Sequence, residues 1–179
     1  MVRHKTRWLL VQLDFEPDMA VEECKKRKRG EMSKLDTIVI YRAIKESFYS
    51  CFGIAAYGFL QSVQGKTDAY LKWGNHRILM NTHPVALVRY YDEHDRLAVI
   101  RVPREGYGMV RASILFLTLL QSKSVVASVI SVNGSARTAR LATITEVQRR
   151  FRGYHHQNYP SKKEVHQLDL RLQQIQAIE

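Results

Sequence analysis

The rhythm of apolar and polar positions changes several times along this chain, and each change marks an element. "WLLVQLDF" (8–15) is a short apolar run closed by Pro17, the pattern of a strand with at least one buried face. The charged stretch "EECKKRKRGEMS" (22–33) has no apolar period and reads as a loop. In "KLDTIVIYRAIKESFYSCFG" (34–53), Ile40, Ile44, Phe48 and Cys51 recur at helical spacing with Arg42, Lys45 and Glu46 between them. That spacing predicts an amphipathic helix, with Asp36 placed to cap its start and Gly53 its end.

Residues 54–83 mix Gly, Asn, His and aromatics without a clear period, so an insertion or irregular connection is expected, centred on 61–83. "VALVRYY" (85–91) and "RLAVIRV" (96–102) are strand-like runs on either side of "DEHD", which predicts an antiparallel hairpin ended by Pro103. "REGYGMVRASILFLTLLQ" (104–121) reads as a second helix, with Glu105 near its positive end. Met109, Val110, Ser113, Ile114, Leu117 and Leu120 would then share its buried face. "VVASVISVNG" (125–134) supplies a fourth strand.

Strand, helix, strand, strand, helix, strand is the order of an α+β, ferredoxin-like sandwich of the kind seen in RNA-recognition modules. It predicts a four-stranded antiparallel sheet with both helices on one face. Residues 1–143 are expected to form this domain, and 144–179 a helical C-terminal extension. The extension contains a capping box, Ser161 to Glu164, followed by Val165, Leu168, Leu172 and Ile175 at 3-4-3 spacing. That apolar stripe suits either packing back on the domain or a partner-binding helix.

Composition turns the reading toward polyanions. Lys+Arg number 28 against 17 Asp+Glu, a net charge of +11, and the pI is about 9.8. Such an excess favours an anionic partner, nucleic acid or an acidic membrane face. Cys24 and Cys51 form no C-x-x-C and stand near no histidine pair at metal spacing, which argues against a disulfide framework or zinc site. No secretory signal is visible, and the most apolar run, "ASILFLTLL" (112–120), is too short to span a bilayer. An intracellular soluble chain is expected.

Four stretches resemble the small basic protein subunit shared by eukaryotic ribonuclease P and ribonuclease MRP, which has an archaeal counterpart. They are "MVRHKTRWLLVQLDF" (1–15), "FGIAAYG" (52–58), "IRVPREGYGMVRASI" (100–114) and "SVNGSARTA" (131–139). In this chain Trp8 stands where that family usually has Tyr, and residues 61–83 have no clear equivalent. The resemblance implies a ferredoxin-like fold bound to a large structural RNA, with other protein subunits alongside. It also implies that the RNA, with magnesium, carries out maturation of precursor tRNA 5′ ends or pre-rRNA processing. No cofactor is expected in the protein itself.

The side chains agree with a non-catalytic role. Metal-dependent cleavage wants clustered carboxylates, and Asp92, Glu93 and Asp95 read as a solvated hairpin turn. His155 and His156 are adjacent and lack a carboxylate partner in motif spacing. No catalytic or metal-ligating residue is therefore assigned. A converging Arg137 and Asn133 would suit an acylphosphatase-type anion pocket, and a ribosomal or other structural RNA-binding protein is the nearer alternative.

For RNA, the candidates are Arg3, His4, Lys5 and Arg7 ahead of the first strand, and Arg101, Arg104 and Arg111 around the second helix's start. Arg137 and Arg140 follow Gly134, a residue that permits close approach. "RLAVIRV" has no Phe or Tyr where RNA-recognition modules stack bases, so binding through shape and phosphates is expected, with the sheet face covered by protein. "KKRKR" (25–29) suits nuclear import or a further phosphate contact. Nucleus and nucleolus are the expected location.

Overall fold

The computed structural model describes residues 6–15, 35–64, 70–73, 76–79, 86–121, 123–155 and 159–178. Arg3, His4, Lys5, Cys24 and the basic run 25–29 lie outside the described residues. The chain runs β1 (Thr6–Phe15), α1 (Thr37–Gln64), β2 (Tyr70–Trp73), β3 (His76–Leu79), β4 (Leu87–Asp92), β5 (Leu97–Pro103), α2 (Tyr107–Leu115), β6 (Leu119–Leu120), β7 (Lys123–Asn133), α3 (Ala136–Tyr154) and α4 (Lys162–Gln176). The main sheet is antiparallel in the order β4-β5-β1-β7-β6, and β2 and β3 form a separate hairpin. The expected four strands are thus five.

The extra strand comes from the end of the predicted second helix. That helix stops at Leu115, and Leu119 and Leu120 pair with Ser124 and Lys123 instead. The hairpin turns at Gln121, whose φ is +51°. Leu117 and Leu120 are buried all the same, on the same core that a longer helix would have reached. An uncharged apolar run satisfies burial in either conformation, so its period could not decide between them.

Gly53 breaks α1 rather than ending it. Its φ of 72° and ψ of −178° are non-helical, a conformation that costs glycine little, and helix resumes beyond it to Gln64. The carbonyl of Asp36 accepts from the amides of Val39 and Ile40 at the helix start. The region 61–83, expected to be irregular, contains the end of α1 and the β2–β3 hairpin.

β1 lies between β5 and β7, and its side chains alternate between two cores. Leu9, Val11 and Leu13 join Ala98, Ile100 and Val102 of β5 beneath Ile40, Ile44 and Phe48 of α1 and Val110 and Ile114 of α2. Trp8 and Leu10 face the other way. With Leu97 and Val99 they are covered by Ala139 and Val147 of α3, by Ile175 of α4, and by Ile178. The cover expected from another protein is in part supplied by this chain's own C-terminal helices. α3 runs across the boundary expected between residues 143 and 144. Of the predicted partner-binding stripe, Leu168, Leu172 and Ile175 pack on this second core, and only Val165 is exposed.

The β4–β5 turn was expected to be solvated, yet Asp92 and Asp95 are buried. Arg171 of α4 reaches them, donating to Asp95 Oδ2 at 2.8 Å and Asp92 Oδ2 at 3.5 Å, with His94 Nδ1 3.1 Å away. Arg150 of α3 donates to the Asp95 carbonyl at 2.8 Å and to Gln12 of β1, and its Nε meets Glu146 at 2.7 Å. Burial, and then the charge of Asp92, push the Tyr90 phenol well above its usual range. The turn is therefore an ionic clamp that draws both C-terminal helices onto the sheet.

Removing Arg171 would leave two buried carboxylates uncompensated, a loss of about 3–5 kcal/mol when neighbouring structure holds firm. Because α4 can lift and let them hydrate, Arg171→Ala is expected to speed amide exchange in α4 first. Exchange in α4 as slow as in the parent would show that the clamp does not hold the helix. Glu146 gives a second test. Hydrogen bonds from Arg149, and then Arg150, lower its carboxyl from the ordinary 4.5 to about 2. A depressed acid contributes stability above its unfolded value and loses it as pH falls toward the folded one. Melting temperature should drop between pH 4.5 and about 2, and Glu146→Gln should remove part of that dependence; an unchanged acid limb in the variant would remove Glu146 from the clamp.

Candidate nucleic-acid interface

Antiparallel pairing brings the starts of β1 and β4 and the ends of β5 and β7 to one end of the sheet. Thr6 stands opposite Pro103, Trp8 opposite both Arg101 and Asn133, and Leu87 opposite Arg101. Everything attached there is gathered with them: Arg7 on β1, Arg89 on β4, Arg101 on β5, Arg104 just beyond β5, and Arg137 in the first turn of α3.

The guanidinium of Arg7 extends over Gly134, its Nη1 lying 3.5 Å from where a Cβ on that glycine would stand. Arg101 is half-buried and lies over the Trp8 ring, 5.8 Å from the ring centroid. Burial, and then the like charge of Arg89, lower the pKa of Arg101. With no described carboxylate paired to either, these two arginines favour an anion as partner. Arg104 and Arg137 are exposed. Arg111 is exposed on α2. Arg140 is committed differently, its Nη1 donating to the Gln176 carbonyl of α4 at 3.0 Å. Sequence reading missed Arg89. Its signal was present, an arginine within the apolar run of β4; in the structure it stands at the irregularity between Val88 and Tyr90, two residues from Leu87, the partner of Arg101.

The start of α3 contributes to the same end. Ser135 caps it, accepting from the Thr138 amide at 3.2 Å while Thr138 Oγ1 returns a bond to the Ser135 amide. Asn133 donates to Ser131 Oγ at 3.0 Å. The ion pairs lie elsewhere. Among the described residues, the acidic partners are Glu146, Asp92 and Asp95, bound to Arg149, Arg150, Arg171 and His94 near the β4–β5 turn. Arg7, Arg89, Arg101, Arg104, Arg111 and Arg137 form no ion pair with a described carboxylate. Among the described residues no group of three His, Cys, Asp or Glu is placed to hold a metal ion, and no helix is long and apolar enough to cross a membrane. Cys51 is an exposed free thiol.

Comparison with known proteins bears on what this surface serves. The model of the Rpp14/Pop5 family matches residues 7–144. That span begins at Arg7 and ends within α3, so it takes in β1, both helices of the first core and β7. Among solved structures, a chain of the cryo-EM structure of yeast ribonuclease MRP is similar at 12% identity and a TM-score of 0.41, covering 84% of this chain and 95% of that one. No curated protein matches.

The geometry at Gly134 makes a local prediction. Its φ is not in the left-handed region, and an added Cβ would meet Arg7 at ordinary contact distance. The close approach expected at this glycine is therefore that of a flexible side chain, not of a backbone. Gly134→Ala should change unfolding free energy by less than about 1 kcal/mol. A larger loss in denaturant titration would mean that the Arg7 guanidinium cannot move aside.

Proposed function

We infer the function of this chain from one premise: it belongs to the Rpp14/Pop5 family. It is a protein subunit of ribonuclease P or ribonuclease MRP, and its part is to bind and stabilise the particle's RNA. Cleavage of precursor tRNA or pre-rRNA is left to that RNA and its magnesium ions. The βαββαβ order of the four long strands and first two helices supports a ferredoxin-like core with β6 added at its edge. The nucleus and nucleolus are the compartments this role calls for.

The observation that carries the reading is the arginine end of the sheet, where Arg7 lies over Gly134 and Arg101 feels the charge of Arg89, none of the three paired with a described carboxylate. Guanidinium groups there meet phosphates in forked geometry. Arg7 stands on a strand buried on both faces, so its side chain is rooted at a fixed point. The opposite sheet face is closed by α3 and α4, which argues for reading RNA by shape and phosphate rather than by bases laid on the strands.

Replacing Arg7 and Arg101 together with Ala should weaken binding to the ribonuclease P or MRP RNA and reduce the slope of log affinity against log salt by roughly 1 for each phosphate that is no longer neutralised. Filter binding across a salt series measures both. A slope equal to the parent's would remove this end of the sheet from the RNA interface.

A further inference from the structure

At the other end of the molecule, the end of α3 and the start of α4 carry charges that the arginine end does not explain. Residues 149–166 carry Arg149, Arg150, Arg152, Lys162 and Lys163 against one acid, Glu164. Glu164 is already engaged, its carboxylate accepting from the Ser161 amide at 2.7 Å. Arg150 is turned inward and Arg149 is held by Glu146. Arg152, Lys162 and Lys163 remain exposed. The two lysines occupy the first turn of α4, where the helix dipole disfavours cations. A local rule broken in this way is characteristic of a surface with work to do.

Two aromatic residues lie between these cations in sequence. Tyr159 is fully exposed and Tyr154 mostly so. Tyr154 is also oriented: its ring meets His94 at 6.3 Å and nearly perpendicular, and His94 in turn sits 3.1 Å from Arg171 and Asp95. The ionic clamp thus fixes a ring whose exposed surface is open to solvent. Hydrogen bonds from Ser161 lower the Glu164 carboxyl, and α3 and α4 pack against each other.

We propose that the end of α3 and the start of α4, with Tyr159 ahead of it, form a second RNA contact, one that takes an unpaired stretch by stacking bases on Tyr154 and Tyr159 while Arg152, Lys162 and Lys163 meet its phosphates. Exposed rings interleaved with cations are the chemistry that holds single strands, since every base offers a π-face. A protein partner would more readily bury apolar side chains, and Tyr154 and Tyr159 are set among charges instead. The proposal rests on the reading of the chain as an RNA-particle subunit, but it uses different residues and a different form of RNA.

Fluorescence anisotropy with the full chain tests it, using a short oligouridylate and an RNA duplex of the same length as probes. Tyr154→Ala with Tyr159→Ala should lose about tenfold or more on the oligouridylate and change duplex affinity less than twofold. Tyr159→Ala alone, at a fully exposed position, should give part of that loss without touching the fold. Tyr159→Phe, which keeps the ring, should restore it. Arg7→Ala with Arg101→Ala should do the reverse, weakening the duplex more than the single strand, so failure of the arginine end shows separately. The proposal is overturned if the Ala variants hold the oligouridylate as tightly as the parent, or if the Phe variant loses as much as Ala. It is equally overturned if they lose only binding to the particle's proteins.

Discussion

The burial of β1 on both faces is the constraint from which the rest of the structure follows. A ten-residue strand at the centre of the sheet sends Leu9, Val11 and Leu13 into one core and Trp8 and Leu10 into another. Each large side chain taken out of water contributes about 1.5–3 kcal/mol, and a slip of one residue would exchange the two sets and damage both cores at once. The register is therefore held from two sides. Arg7 is thereby held at a place that the interior determines.

Filling the second face has a cost that the charges offset. α3 and α4 lie where an RNA-recognition module would present open strands, and they are held there by more than apolar contact. Asp92 and Asp95, Arg171, Arg150 and Glu146 form a buried ionic group at the turn end. Buried pairs of this kind add little net stability over well-packed apolar residues, but they tolerate no missing member. Their consequence for the surface is a partition. Several of the described carboxylates are used up at one end, and the arginines at the other form no ion pair with a described carboxylate.

Much of this was legible from local pattern, and what was not depended on contacts remote in sequence. The short apolar run of β1, the hairpin of β4 and β5 and the helical period of α1 are written in neighbouring residues, and the structure contains all three. The end of α2 is not so written, because Leu117 and Leu120 are buried whether the backbone coils or extends. The role of the β4–β5 turn depends on Arg171, 76 and 79 residues away from its partners, and no window along the chain connects them. Asp92 and Asp95 therefore looked like ordinary turn residues. For the same reason Leu168, Leu172 and Ile175 read equally as a stripe for another chain or for this one. The arginines were visible one by one, and only the folded chain shows that Arg101 feels the charge of Arg89 while Arg140 is spent on α4.

α3 ties the two ends together. It starts at Ser135, one residue beyond the glycine under Arg7, and Arg150 near its end touches the β4–β5 turn. Its 19 residues span about 28 Å at 1.5 Å per residue. That is several times the Debye length of about 8 Å at physiological ionic strength, so the cations at one end do not feel those at the other and each end binds on its own terms. A rigid strut between two independent contacts does impose one condition: an RNA that satisfies both must present a phosphate-rich helical surface and an unpaired stretch at that separation. A folded RNA holds such a spacing and a flexible strand does not. The second contact would then raise affinity through effective concentration, and the selectivity for one RNA over another would come from distance rather than from base identity.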